Sequence, residues 1–229
     1  LKNPVKSETK KHSARPPKAS RRAAYHHGNL KGDLLQHAKK MIQSRHDVQF
    51  TLRELAKRVG VSPMAAYRHF ATKEDILRAI AAEGSMQLSH AFTEALKHDP
   101  ADLAAIGAAY IDFSLRNPVL FKVMFHPELV DPRAPAPVDT GAFGILMECI
   151  ALNQERGLFP NCSRSHLAVT AWSMVHGLAT LLINRNLGPM IGHDTAVDSG
   201  EMRDLIQMAL QTVSQGFLAL KVPAAFVKS

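Results

Sequence analysis

The sequence predicts an all-α protein, and three observations carry that expectation. Apolar residues return at helical spacing in successive segments from about residue 29 to residue 220. Helix-start and helix-stop residues flank those segments. No stretch alternates apolar and polar residues as a half-buried strand would. With 229 residues, 46% of them hydrophobic and 21% charged, the chain has an ordinary globular balance and enough length for a sizeable core in one or two domains.

Residues 1–24 precede the first helical pattern and are rich in Lys, Arg, Ser and Pro. They contain almost nothing that could build a core, so a disordered basic arm is expected. Such an arm could lie along phosphates or enter a minor groove, or be a solvated tail. The first helix is expected from about Asn29 to Ser44, with Leu34, Leu35, Ala38, Met41 and Ile42 as its apolar stripe. Thr51 and Glu54 then form a capping box, and Leu52, Leu55, Ala56 and Val59 share one face of a second helix. Gly60 suits the left-handed position that ends a helix. Ser62 followed by Pro63 restarts the chain as an N-cap and first helical residue.

The third helix is expected to run to Phe70. Ala66 and Phe70 would face the second helix, turning Pro63, Met64, Tyr67 and Arg68 outward. Two helices joined by a Gly-bearing turn describe a helix-turn-helix that reads the DNA major groove, or else an ordinary helical hairpin. The pattern alone does not separate these. Thr72 and Asp75 cap a fourth helix that begins with Ile76, Leu77 and Ile80. Lys73 in its first turn opposes the helix dipole, a hint that an outside anion such as a phosphate balances it.

Charge favours the DNA reading. The net charge is +8, but residues 1–24 carry eight Lys or Arg against Glu8 alone, and residues 25–85 carry ten basic against six acidic side chains. Residues 86–229 are mildly acidic, with ten basic and thirteen acidic. Basic charge is thus gathered on and before the two-helix unit, where phosphates would be met.

The remaining chain also reads as helices. Asp99-Pro100 is expected to cap a helix to Arg116, with Leu103, Ile106, Ala109, Tyr110 and Phe113 on its apolar face. Asn117-Pro118 opens a short apolar helix through Phe125, and four prolines enforce a loop from Pro127 to about Thr140. Helices are expected over 143–156, with Gly157 as the stop, over 163–186, and over 200–220; Gly188 to Gly192 reads as the turn between the last two.

The motifs Tyr25-His-His-Gly-Asn-Leu30, Leu52-Arg-Glu-Leu-Ala56, Val59-Gly-Val-Ser62, Tyr67-Arg-His-Phe70 and Lys73-Glu-Asp-Ile-Leu77 resemble, in order and spacing, the N-terminal domain of TetR-family transcriptional regulators. The resemblance covers about residues 25–84. It implies a three-helix DNA-binding domain at 25–84 and a larger helical ligand-binding and dimerisation domain at 85–229. It places Pro63, Met64 and Ala65 at the start of the recognition helix, with Ser62 as its cap. Tyr67 and His69 match positions that touch the DNA backbone, Lys73 a phosphate-contacting lysine, and Thr51 a phosphate contact at the second helix. Arg68 is the one nearby side chain that could fork onto a guanine or a phosphate. Trp172 with His176-Gly177 resembles the signature of the WHG-type C-terminal domain found in one subset of the family.

Several other chemistries find no support. Cys149 and Cys162 give neither a disulfide framework nor metal spacing and suit a reducing cytosol, so a cytoplasmic location is expected. The histidines are scattered, no cofactor motif appears, and neither a nucleophile motif nor a phosphate loop suggests an enzyme. The basic N-terminus lacks the apolar stretch of a secretory signal. Leu167 to Ile183 is a run without formal charge, short of the ~20 residues that span a bilayer, and is expected inside the protein or at a subunit interface rather than in a membrane.

Tyr110, Phe121, Met124, Phe125, Met147, Trp172 and His176 are the candidate lining of a pocket for a small, largely apolar effector, and core packing explains them equally well. The last two long helices are more apolar than one side of a monomeric core requires, which suggests a homodimer. The expected function is therefore a ligand-responsive regulator, a repressor that binds a pseudo-palindromic DNA operator as a dimer. The alternative is a constitutive or architectural DNA-binding dimer without an effector.

Overall fold

The computed structural model describes residues 29–126, 141–159, 162–187 and 200–219. The basic arm, the Tyr25–Gly28 part of the first motif, the proline-rich loop and the turn at 188–192 lie outside the described residues. Within them the protein is all-α, without strands. The elements are α1 (Leu30–Arg45), α2 (Leu52–Val59), α3 (Pro63–Tyr67), α4 (Lys73–Ala95), α5 (Leu103–Arg116), α6 (Pro118–Met124), α7 (Ala142–Glu155), α8 (Arg164–Ile183) and α9 (Gly200–Ala219).

Helices α1 to α3 and the first half of α4 close one small core. Leu34, Ala38, Met41 and Ile42 from α1 meet Leu55, Ala56 and Val59 from α2, Ala66 and Phe70 from the α3 region, and Ile76, Leu77 and Ile80 from α4, all buried. Each side chain lies on the face that its spacing assigns it. Helix α4 does not stop at this unit. It runs 23 residues, through Gly84, and buries Leu88 and Phe92 in the second half of the molecule. The two halves are therefore joined by one continuous helix.

Helix α5 is central to the second half, packing against α4, α6, α7, α8 and α9. Its start differs from expectation: Asp102, not Asp99, is the N-cap, accepting from the Ala105 amide at 2.9 Å. Asp99 instead forms a two-pronged pair with Arg156 at the end of α7, at 2.8 and 3.0 Å. The same carboxylate also accepts from the Ala101 amide at 3.0 Å, so Asp99 holds both Arg156 and the turn that leads into α5. The guanidinium beside it also holds the Asp99 carboxyl below its usual range. Buried Asn153 of α7 adds a second tie to this region, its Nδ2 donating to the Ala101 carbonyl at 2.7 Å.

Helix α8 is 20 residues long, and by length and composition alone it could cross a bilayer. The helix ends earlier than the expected 163–186, but it takes in residues before the charge-free run, so length does not decide the matter. Packing is more informative: Leu167, Ala168, Ala179 and Leu182 are buried, with α5, α7 and α9 against the helix. Its other face leaves Val169 57% and Met174 47% exposed. On α9, Met202 is buried and Met208 is 67% exposed.

Candidate nucleic-acid interface and candidate effector site

The reading unit is built from two capped helices and a glycine turn. The Thr51 hydroxyl accepts from the Glu54 amide at 3.2 Å while the Thr51 amide donates to the Glu54 carboxylate at 2.8 Å. That reciprocal box satisfies two first-turn donors, and the Thr51 amide holds the Glu54 carboxyl below its usual range. Gly60, at φ 84°, ends α2 in the left-handed region where a Cβ would be strained, and its amide donates to the Ala56 carbonyl at 2.9 Å. The Ser62 hydroxyl then accepts from the Ala65 amide at 3.2 Å, with Pro63 at the first helical position.

Helix α3 is shorter than expected. Arg68 and His69 form a tightened turn, with the His69 amide reaching back only to the Ala66 carbonyl at 3.0 Å, although Phe70 still enters the core. The outward face is as the spacing requires. Met64 is 66% and Tyr67 44% exposed, and Ser62, Pro63, Arg68 and His69 are exposed with them. Ala65 is half-buried and Thr51 exposed at the foot of α2. The basic side chains Arg53, Lys57 and Arg58 are exposed on α2.

Lys73 is placed differently from the others. Its side chain is only 16% exposed and lies 3.9 Å from the Glu74 carboxylate. Glu74 and Asp75 together complement the dipole of α4, so the unfavourable cation in its first turn needs no outside anion to explain it.

In the second half, most of the aromatic candidates come together around His176. Its Nδ1 lies 2.8 Å from the Tyr110 hydroxyl. The Phe121 ring stacks on the imidazole at 5.1 Å between centroids, and Phe125 meets it edge-on at 4.6 Å. Trp172 stands edge-on to Tyr110 at 5.2 Å. Burial pushes the Tyr110 phenol up from its usual value and the His176 imidazole down, so both stay neutral near pH 7.

Beside this cluster lies an apolar cavity of about 40 Å³, whose wall includes Phe92, Ile106, Gly107, Tyr110, Trp172 and Leu210. Of the seven expected pocket residues, Tyr110 and Trp172 line it. Phe121, Phe125 and His176 pack behind them. Met124 packs against α4 at Gly84, where an added Cβ would stand 2.5 Å from its sulfur. Met147 is half-buried, and its neighbour Leu146 supplies the α7 part of the wall. The residues missed by sequence reasoning, among them Gly107, Val175 and Leu210, are ordinary members of apolar stripes; nothing local distinguishes them from core.

Among the described residues no group of three His, Cys, Asp or Glu could hold a metal ion. The Cys149 thiol, buried, is pushed up to about 12 and is not a reactive nucleophile.

A capped helix-turn-helix with a solvent-facing third helix, joined by one long helix to a helical second domain, defines a DNA-binding transcriptional regulator. The family described as "Bacterial regulatory proteins, tetR family" matches residues 34–80, and "Tetracyclin repressor-like, C-terminal domain" matches residues 103–205. Together the two matches take in more than half of the sequence, and the chain belongs to the TetR family.

Solved structures agree in fold. A protein with unknown function from a Rhodococcus species is 26% identical, with TM-score 0.66 over 86% of this chain and 99% of that one. The TetR-family transcriptional regulator PfmR from Thermus thermophilus is 18% identical, with TM-score 0.57 over 80% of this chain and 97% of that one. The fatty acid degradation regulator FadR from Bacillus halodurans is 14% identical, with TM-score 0.56 over 84% and 96%. Comparison with curated proteins gave no match.

Proposed function

We propose that this protein is a cytoplasmic homodimeric repressor that binds a pseudo-palindromic operator and is released by a small, largely apolar effector. Its reading face comprises Thr51, Ser62, Pro63, Met64, Ala65, Tyr67, Arg68, His69 and Lys73. Pro63, Met64 and Ala65 offer only apolar contacts, suited to a thymine methyl, and Arg68 is the candidate for a forked contact to guanine or phosphate. It carries no catalytic role and does not act at a membrane.

The observation that carries this reading is the position of α6 between the two sites. Phe121 on α6 stacks on His176 in the aromatic cluster, and the next residue, Lys122, donates through Nζ to the His46 carbonyl at the end of α1 in the reading unit. A ligand that displaces the cluster therefore acts on a seven-residue helix fastened to the DNA-binding domain. It shifts the reading heads between competent and incompetent spacings by its difference in affinity for the two.

The dimer reading is supported by Val169 and Met174 on α8 and Met208 on α9, exposed apolar side chains on the last two long helices. A twofold dimer would set two recognition helices about 34–36 Å apart on successive major-groove turns. The small cavity favours the second reading, a constitutive DNA-binding dimer, because about 40 Å³ holds no effector of ordinary size unless a wall moves.

Footprinting on genomic fragments, repeated with a panel of apolar compounds, separates the two. A discrete palindromic footprint lost with at least one compound supports the repressor. A discrete footprint indifferent to all compounds supports the constitutive dimer, and uniform coating its architectural form.

A further inference from the structure

The cavity and its surroundings are sharply divided in charge. Among the described residues that line it, none carries a formal charge. Its polar side-chain groups are the Trp172 indole and the Tyr110 hydroxyl, the latter already bonded to His176. A carboxylate, phosphate or ammonium brought here would lose its hydration and find no counter-ion, at a cost far above what the apolar wall could return.

Guanidinium groups line a different space. Arg116, Arg185 and Arg203 line an open groove of about 860 Å³ along α5, α8 and α9. The two spaces share only Ala104 and Leu210 among their described walls, so Leu210 is part of the partition. Leu210 is held there by a notch on α5. A Cβ at Gly107 would stand 2.6 Å from Leu210 Cδ2, so the leucine fills the space that glycine leaves. It is half-buried on α9, with open groove behind it, and is the wall member with somewhere to go.

We infer that this cavity takes an uncharged, hydrocarbon-rich effector bearing one hydrogen-bonding group, admitted by displacement of Leu210 from the Gly107 notch and recognised by the Tyr110–His176 pair. The inference rests on the effector-responsive reading and narrows it to a chemical class. At about 40 Å³ the space is smaller than the ~150 Å³ that holds a benzene ring, so admission requires that displacement. The polar group of the ligand then competes with the imidazole for the Tyr110 hydroxyl, in the cluster that Phe121 and Phe125 close.

The chain contains a single tryptophan, Trp172, and it lines the cavity, so its fluorescence reports occupancy directly. The full-length protein is titrated with benzyl alcohol, benzoate and benzylamine, three probes sharing one ring and differing in charge. Benzyl alcohol is expected to saturate the Trp172 signal with a Kd at least ten-fold below that of either charged probe. Leu210→Ala is expected to tighten benzyl alcohol several-fold, and Tyr110→Phe to weaken it several-fold.

Benzoate binding as tightly would overturn the inference by showing that the site reaches the groove arginines. Equal binding of benzylamine, or no saturable signal from any probe in both the wild type and Leu210→Ala, overturns it too. Operator affinity is measured on the same samples. If benzyl alcohol saturates Trp172 and leaves operator affinity unchanged, the inference stands and the effector-release reading fails.

Discussion

The Lys122 ammonium donates a hydrogen bond to the backbone carbonyl of His46, 76 residues away in the chain, and so fastens α6 of the second domain to the end of α1 in the first. His46 is in the left-handed conformation, at φ 53°, where α1 ends and its last carbonyls lack helical partners. The bond therefore serves two purposes, capping one helix and joining two domains. Lys122→Met keeps much of the apolar stem and removes the donor. It is expected to cost about 0.5–1.5 kcal/mol in urea unfolding and to speed amide exchange in the last turn of α1. Unchanged exchange there would show that this bond does not hold the end of α1.

The reading face makes a prediction about sequence dependence. Tyr67 is exposed beside Met64; if it meets the DNA backbone, as the proposed reading face has it, Tyr67→Ala is expected to weaken binding to specific and random DNA alike. Lys73→Ala is expected to do the same and to lower the salt slope of log K by about 0.9. The Glu74 neighbour makes this the sharper test. A lysine committed to Glu74 would leave the slope where it was.

His176 gives the stability a pH dependence. Burial holds its folded-state pKa below the ordinary 6.5, and Tyr110, its hydrogen-bond partner, stays protonated throughout. Below pH 6.5 the unfolded chain therefore takes up a proton that the folded chain resists. The contribution of His176 is fully present above about pH 6.5 and is lost as the pH falls through the depressed folded value. Urea unfolding at pH 7.5 and 5.5 should show a larger loss for the wild type than for His176→Gln. Equal losses would place the acid sensitivity in the carboxylates, such as Asp99, whose depressed pKa acts at lower pH.

The proposed dimer is tested at its exposed apolar side chains. Val169→Asp combined with Met208→Asp puts carboxylates on α8 and α9 where the wild type exposes hydrocarbon. Because both sites face solvent in the protomer, the fold should survive with little change in circular dichroism. Sedimentation should shift from dimer to monomer, and operator affinity should fall by at least ten-fold. A dimer that persists would move the interface elsewhere.

Much of the reading unit was legible because its determinants are local. The Thr51–Glu54 and Thr72–Asp75 boxes, the Gly60 turn and the Ser62-Pro63 restart each depend on residues within four positions of one another. Even for such short-range signals, two features escaped. The cap of α5 falls to Asp102 while Asp99 pairs with Arg156, and the Lys73 side chain lies beside its neighbour Glu74. A cap motif records which groups are able to pair, while the competition for them is decided by what packs nearby.

By itself the sequence determined the helical class, the order and approximate limits of the helices, the outward face of α3 and the family. These follow from periodicity and short-range capping, which survive in one dimension. Only the tertiary structure decided that Tyr110, Phe121, Phe125 and Trp172 gather about His176, that Leu210 fills the notch at Gly107, and that Lys122 reaches His46. Those contacts join residues tens of positions apart, and an apolar stripe looks the same in sequence whether its far side meets core, cavity or a second subunit.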